Sequence, residues 1–203
     1  NGIGGNVGIN VVSADTVVIE RCRIVQMGGH GIYAVSGPRL ELIDVASQRN
    51  GGNGFLIAGI GGGAHIAGSR FEVNSLSGIA VTQGANVSIS TSSASANGEH
   101  GVLVSATSGF YTEVTAERFT SVNNVQSGAM ASASGSGKAA IDIARSTLSR
   151  NAVGVVATTT GVGATAYITA AQNLITANST NGIAAAGVSA IVVATGNNVS
   201  RST

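Results

Sequence analysis

Glycine followed by a small or apolar residue recurs along the whole chain, at Gly8-Ile9, Gly31-Ile32, Gly54-Phe55, Gly78-Ile79, Gly101-Val102, Gly128-Ala129, Gly154-Val155 and Gly182-Ile183. The spacings are 23, 23, 24, 23, 27, 26 and 28 residues. In each unit a second inward position follows two residues later, at Val11, Ala34, Ile57, Val81, Val104, Ala131, Ala157 and Ala185. Period-two alternation marks a strand. A second strand follows, patterned apolar-x-apolar-x-x-small-x-apolar, as in Val17, Ile19, Cys22, Ile24 and in Ile141, Ile143, Ser146, Leu148. Asn stands four residues before the glycine at Asn50, Asn74, Asn97, Asn124 and Asn178, and three before it at Asn151.

A unit of two or three short strands with glycine-rich corners has no room for a helix and cannot bury its apolar face alone. Stacking on its neighbours supplies the core. The expected fold is therefore all-β: a single-stranded right-handed parallel β-helix of about eight coils of 23–28 residues, one domain over residues 1–203. The column Ile9, Ile32, Phe55, Ile79, Val102, Val155 and Ile183 is expected to be buried, and the Asn column to form a ladder of side-chain amides. The glycines are assigned to corners that need positive φ or close chain approach. Hexapeptide helices would have a period of about 18, and calcium-binding nonapeptide repeats need an Asp that "GGNGF" and "GIGGG" lack. Leucine-rich repeats share the period, but leucine is sparse here.

Composition narrows the function classes. Charged residues make up 9% of the chain and the formal net charge is +1, which gives no electrostatic reason to expect nucleic acid or an acidic membrane surface as partner. No apolar run is long enough to span a membrane. The single Cys22 excludes an internal disulfide and a Cys-based zinc site, and no cofactor or metal site is expected. The chain begins inside its own pattern and reads as a piece of a longer protein.

The units "NGEHGVLV", "NSLSGIAV" and "NSTNGIAAAG", each followed by "VSIS"-like strands, resemble the parallel β-helix repeats of the pectate-lyase-like superfamily. That resemblance implies an extracellular or cell-surface location. It leaves activity open, since the superfamily spans lyases, hydrolases, epimerases and phage tailspikes. "GHG" at residues 29–31 also resembles a polygalacturonase motif. His30, however, occupies the position before the repeat glycine that holds Asn53, Ser77 and His100 in other coils, and the companion motifs are missing.

Charged residues fall into columns. Aligning the second strands on Ile19, Leu42, Ile66, Ile89 and Ile143 places Glu41 beside His65 on adjacent coils. A carboxylate against a histidine is general acid–base material, and also an ordinary cross-strand pair. Arg21, Arg23, Asp44 and Arg70 complete a mixed polar patch, and Tyr33 points outward as a candidate binding residue. Glu113 and Asp142 are column neighbours if Val114 is the reference of coil five. If Ala116 is the reference, Glu113 leaves that column. Paired carboxylates suit glycoside hydrolysis, while Lys138, Arg118 and Arg145 are placed to neutralise them. Phe110-Tyr111 is assigned to a corner, and Cys22 to a buried column of small residues.

Short loops, few charges and few aromatics favour a non-catalytic structural or binding segment, with a polysaccharide or another protein as partner. A polysaccharide-processing enzyme with an incomplete site and a rod that associates end to end are the alternatives.

Overall fold

A computed structural model describes residues 5–35 and 37–201. Within them 24 strands form three eight-stranded sheets, all parallel, and no helix occurs. Each coil gives one strand to each sheet. Sheet A runs from Ile9–Val11 to Asn181–Ala186, sheet B from Thr16–Glu20 to Ala190–Thr195, and sheet C from Arg23–Val25 to Asn198–Ser200. This is the expected eight-coil β-helix, with three strands per coil. The outermost residues of the expected open ends, 1–4 and 202–203, lie outside the described residues.

Alternation places one face of every strand inside. Ile32, Phe55, Ile79, Val102 and Val155 are buried as expected, and Ile9 and Ile183 in the end coils are partly buried. The large side chains Phe55, Phe71 and Phe119 are wholly enclosed. Coils five to seven are longer because their strands are longer. Sheet A grows to eight residues at Ser127–Ser134 and Val153–Thr160, and sheet B to seven at Tyr111–Glu117, Lys138–Ala144 and Thr165–Ala171. Every strand of sheet C keeps three residues. The stretch "ASASGSG", residues 131–137, thus ends the Ser127–Ser134 strand and turns into Lys138–Ala144.

Of the two reasons expected for glycine, the repeat glycines meet the second, and non-glycine residues supply most of the positive φ at the corners of sheet C. Among the described residues, fourteen non-glycine residues have positive φ. Thirteen of them lie in two columns: Arg21, Asp44, Thr91, Arg118, Arg145 and Gln172 between sheets B and C, and Gln26, Arg49, Val73, Ala96, Asn123, Arg150 and Ala177 between sheets C and A. The repeat glycines are needed instead for close approach. A Cβ on Gly54 would stand 2.7 Å from the Gly78 carbonyl oxygen and 2.8 Å from Asn74 Nδ2.

The residue after each left-handed position turns inward, and its backbone N–H has no carbonyl above it. Side chains supply the acceptor. Asn50 N–H donates to Asn74 Oδ1 at 3.2 Å, Asn74 N–H to Asn97 Oδ1 at 3.1 Å, and Asn97 N–H to Asn124 Oδ1 at 3.1 Å. The series continues through Asn151 to Asn178, so the shorter turn at Asn151 leaves the ladder unbroken. From Asn50 to Asn151 each Nδ2 donates along the same column, for example Asn97 to Asn124 at 2.9 Å. A second ladder, unforeseen from the sequence, runs at the B–C corner. Ser69 N–H donates to Ser92 Oγ, Phe119 N–H to Ser146 Oγ, Ser146 N–H to Asn173 Oδ1, and Asn173 N–H to Asn197 Oδ1. Cys22 heads this column. It is only half-buried, and its thiol contacts the Glu20 carbonyl at 3.2 Å.

His30 and His100 occupy a third column at the entry to sheet A. His30 Nδ1 accepts the Asn53 N–H at 3.0 Å, and Asn53 Oδ1 accepts the Ser77 N–H at 2.9 Å. His100 is buried at 6% exposure, and its Nδ1 meets no hydrogen-bond partner among the described residues. Burial pushes its pKa down to about 4.

Replacing Asn97 by Leu keeps the branching of the side chain but strands the Asn74 N–H and takes one bond each from Asn74 Nδ2, the Phe71 carbonyl and Asn124 Oδ1. The expected loss is on the order of 4 kcal/mol, read as a lower urea midpoint, whereas Ser88→Ala on the outer face should leave the midpoint unchanged. For His100, the unfolded chain binds the extra proton below about pH 6.5 and the folded chain only near pH 4. Stability is therefore fully present above the unfolded pKa and falls as pH drops through this window, by up to about 3 kcal/mol. His100→Asn, which mimics Asn53 in the same column, should flatten that slope in urea titrations between pH 7 and 4. An unchanged slope would show that other groups carry it.

Candidate functional site

The outer face of sheet B offers a groove of about 510 Å³. Its geometry follows from register. One outward column reads Thr16, Arg39, Gly63, Asn86, Glu113, Ala140 and Tyr167, and the next reads Val18, Glu41, His65, Ser88, Thr115, Asp142 and Thr169. Gly63 leaves a hollow in the first column. Arg39 lies one coil before it and Asn86 one coil after, while Glu41, His65 and Ser88 rise beside it. The backbone does not require glycine here, since a Cβ at Gly63 would meet only the Asn86 carbonyl, at 3.4 Å.

Glu41 and His65 are direct register partners, as expected. No ion pair joins them among the described residues. His65 Nδ1 instead contacts Ser88 Oγ at 2.9 Å, which fixes the ring on the groove wall. Coil five adopts the register with Ala116 as reference, so Glu113 faces Asn86 and Ala140, and Asp142 faces Thr115. Glu113 and Asp142 are therefore diagonal neighbours. Their carboxylates act on Tyr111, whose phenol is pushed up by burial first and then by Glu113 and Asp142.

Tyr111 opens the strand Tyr111–Glu117 and faces outward on sheet B, contrary to its assignment to a corner. Tyr167 projects from the same face, two coils on from Glu113. These two rings, with Arg39, Gly63 and Asn86, are the site features that sequence reasoning missed. The signal was present in the Ala116 register, which carries Tyr111 into the strand.

The other expected patch residues lie elsewhere. Tyr33 stands on sheet A with its ring 5.5 Å from that of His30, away from the groove. Arg21 and Asp44 share the B–C corner without pairing, and Arg21 instead lies 3.6 Å from Glu20. Arg23 and Arg70 project from sheet C with Ala46 between them in register. Arg145 and Arg118 turn to Glu117, at 2.7 and 3.8 Å, and do not neutralise Glu113 or Asp142. Arg145 holds the Glu117 carboxyl below the usual carboxylate range.

Charge is thus divided by face. Sheet B presents Glu20, Glu41, Glu113, Glu117 and Asp142 against Arg39 and Lys138. Sheet C and its two corners present Arg21, Arg23, Arg49, Arg70, Arg118, Arg145 and Arg150 against Asp44, Glu72 and Glu99. No three His, Cys, Asp or Glu converge to hold a metal ion among the described residues.

Comparison with solved structures finds the same fold at low identity. A mutant of the periplasmic alginate epimerase AlgG superposes with a TM-score of 0.73 at 11% identity, covering 96% of this chain and 47% of that one. A second AlgG structure gives 0.57 at 13% identity, covering 93% and 51%. The chain spans about half the length of these structures. No curated protein matches it in sequence. Residues 7–170 match the family model described as "Right handed beta helix region", and with its stacked coils and Asn ladder the chain belongs to that family.

Proposed function

We propose that this chain is an extracytoplasmic, non-catalytic binding segment that holds a polysaccharide along the outer face of sheet B. The groove at Gly63 carries the reading. It is a hollow in a regular sheet, walled by Arg39, Glu41, His65, Asn86 and Ser88, with a volume in the range of small-ligand sites. Sugars present hydroxyls that both donate and accept, and this wall alternates donors with acceptors. Tyr111 and Tyr167 further along the face offer rings to the apolar faces of sugars. From the Arg39 coil to the Tyr167 coil is a distance of roughly 24 Å by strand spacing, which suits a chain ligand lying parallel to the rod. The likeness to a protein named as a periplasmic alginate epimerase supports both the ligand class and a location outside the cytoplasm. Protein ligands suit this face less well, because the two outward columns that line the groove lack large apolar side chains between Arg39 and Thr115.

A second reading is favoured by the register of Glu41 and His65. Side by side on one groove wall, a carboxylate and an imidazole suit proton transfer to and from a sugar ring. Glycoside hydrolysis by Glu113 and Asp142 is the weaker form of this reading, since they are diagonal and not paired in register.

Electrophoresis through gels cast with alginate, pectin or xylan tests the first reading. The parent chain should be retarded in at least one of them. Gly63→Thr should abolish retardation while leaving thermal stability equal or higher, because Thr suits a strand better than Gly and the position has room for a Cβ. Mobility unaffected by all three polymers would sink the proposal. For the second reading, the parent should release reducing or unsaturated ends from one of the same polymers. Glu41→Gln should then remove that activity with little change in melting temperature. A parent inactive on all three retires it.

A further inference from the structure

The B–C corner holds a second cavity, of about 400 Å³, on the arginine-rich side of the rod. Arg70 stands at one end on coil three. Arg118 stands at the other on coil five, roughly 10 Å away by strand spacing. Thr91, Ser93 and Thr120 line the wall between them, and Gly68 leaves the space open. The Ser69 and Ser92 hydroxyls behind the wall are committed to the corner ladder, donating to the Ala67 and Ser90 carbonyls.

Among the described residues Arg70 has no close carboxylate and forms no ion pair, and Arg118 shares the single carboxylate of Glu117 with Arg145. Glu72 on the same strand is held by Gln48 Nε2 at 2.8 Å. Glu117 is bound by Arg145 at 2.7 and 3.1 Å and reaches Arg118 only at 3.8 Å. Asp44 is a second opposing group at the rim, with its Oδ1 lying over Gly68.

We infer that this cavity is an oxyanion site, taking a sulfate or phosphate group between the guanidinium groups of Arg70 and Arg118, with the three hydroxyls as further donors. Guanidinium forks match tetrahedral oxyanions in geometry and charge, and five donor groups around one space exceed what a planar carboxylate accepts. The volume leaves room for a carrier, so the group can arrive as a free ion or as an ester on a sugar. The site lies on a different face from the sheet B groove and stands or falls independently of it.

The experiment is calorimetric titration with inorganic sulfate, inorganic phosphate and acetate, at constant ionic strength set with chloride. Sulfate and phosphate should bind saturably and acetate at least tenfold more weakly. Arg70→Gln and Arg118→Gln should each weaken sulfate at least tenfold, Asp44→Asn should tighten it about threefold, and Arg150→Gln at the other corner should change nothing. A sulfated oligosaccharide compared with its desulfated form then separates the sources: tighter binding than inorganic sulfate identifies a sugar ester, and equal binding a free ion. Heat that does not saturate, acetate binding as well as sulfate, or equal weakening by Arg150→Gln overturns the site. Circular dichroism of each variant checks the fold, and at these exposed positions it should match the parent.

Discussion

One unmet hydrogen bond per corner governs this structure. A chain bent by a left-handed residue carries its next N–H into the interior, where no sheet carbonyl reaches it. A buried donor without a partner costs more than a hydrogen bond gains. The coil beyond answers with an Asn or Ser oxygen. That requirement fixes which residue types stand at the inward corner positions and sets the register between coils. It also holds residues such as Val73 and Thr91 in a backbone region that L-residues avoid by roughly 1–2 kcal/mol. With the corners fixed, the three sheets have no freedom of relative shift, and outward columns become straight rows of side chains.

Those rows divide the surface into faces of different chemistry. Sheet A shows Tyr33, Leu56, Leu103 and Met130 in one row and carries no charge between them. Sheet B gathers carboxylates and a hollow, and sheet C with its corners gathers arginines. A net charge of +1 conceals this division, because opposite excesses on two faces cancel in the sum. Function in such a rod is read from columns, since residues far apart in sequence become neighbours at a fixed strand spacing.

Much of this was legible in the chain itself. The glycine spacing gave the coil, the period-two alternation gave the buried column, and the Asn positions gave the first ladder. The adjacency of Glu41 and His65 followed from the same alignment. The B–C ladder escaped because its acceptors are mostly serines, which also suit a strand or a turn. Coil five was ambiguous because Val114 and Ala116 both fit an inward position, and only Asn124 downstream distinguishes them. Tyr111 was misplaced for that reason. The φ values of Arg21 and Ala96 had no compositional mark, because the ladder and the sheets hold those corners in place of glycine.

The lengthened strands of coils five to seven give the rod a direction that its repeat lacks. Sheet B is five residues wide over its first four coils and seven over the next three, and the added width lies wholly at the edge shared with sheet A. A polymer laid on that face meets a narrow, charged threshold at one end and a broader shelf bearing Tyr111 and Tyr167 at the other. Polysaccharides have chemically distinct ends, so the two ways of laying one down are different complexes. If a polysaccharide lies on sheet B as proposed, the asymmetry of cross-section distinguishes the two senses in which it can run.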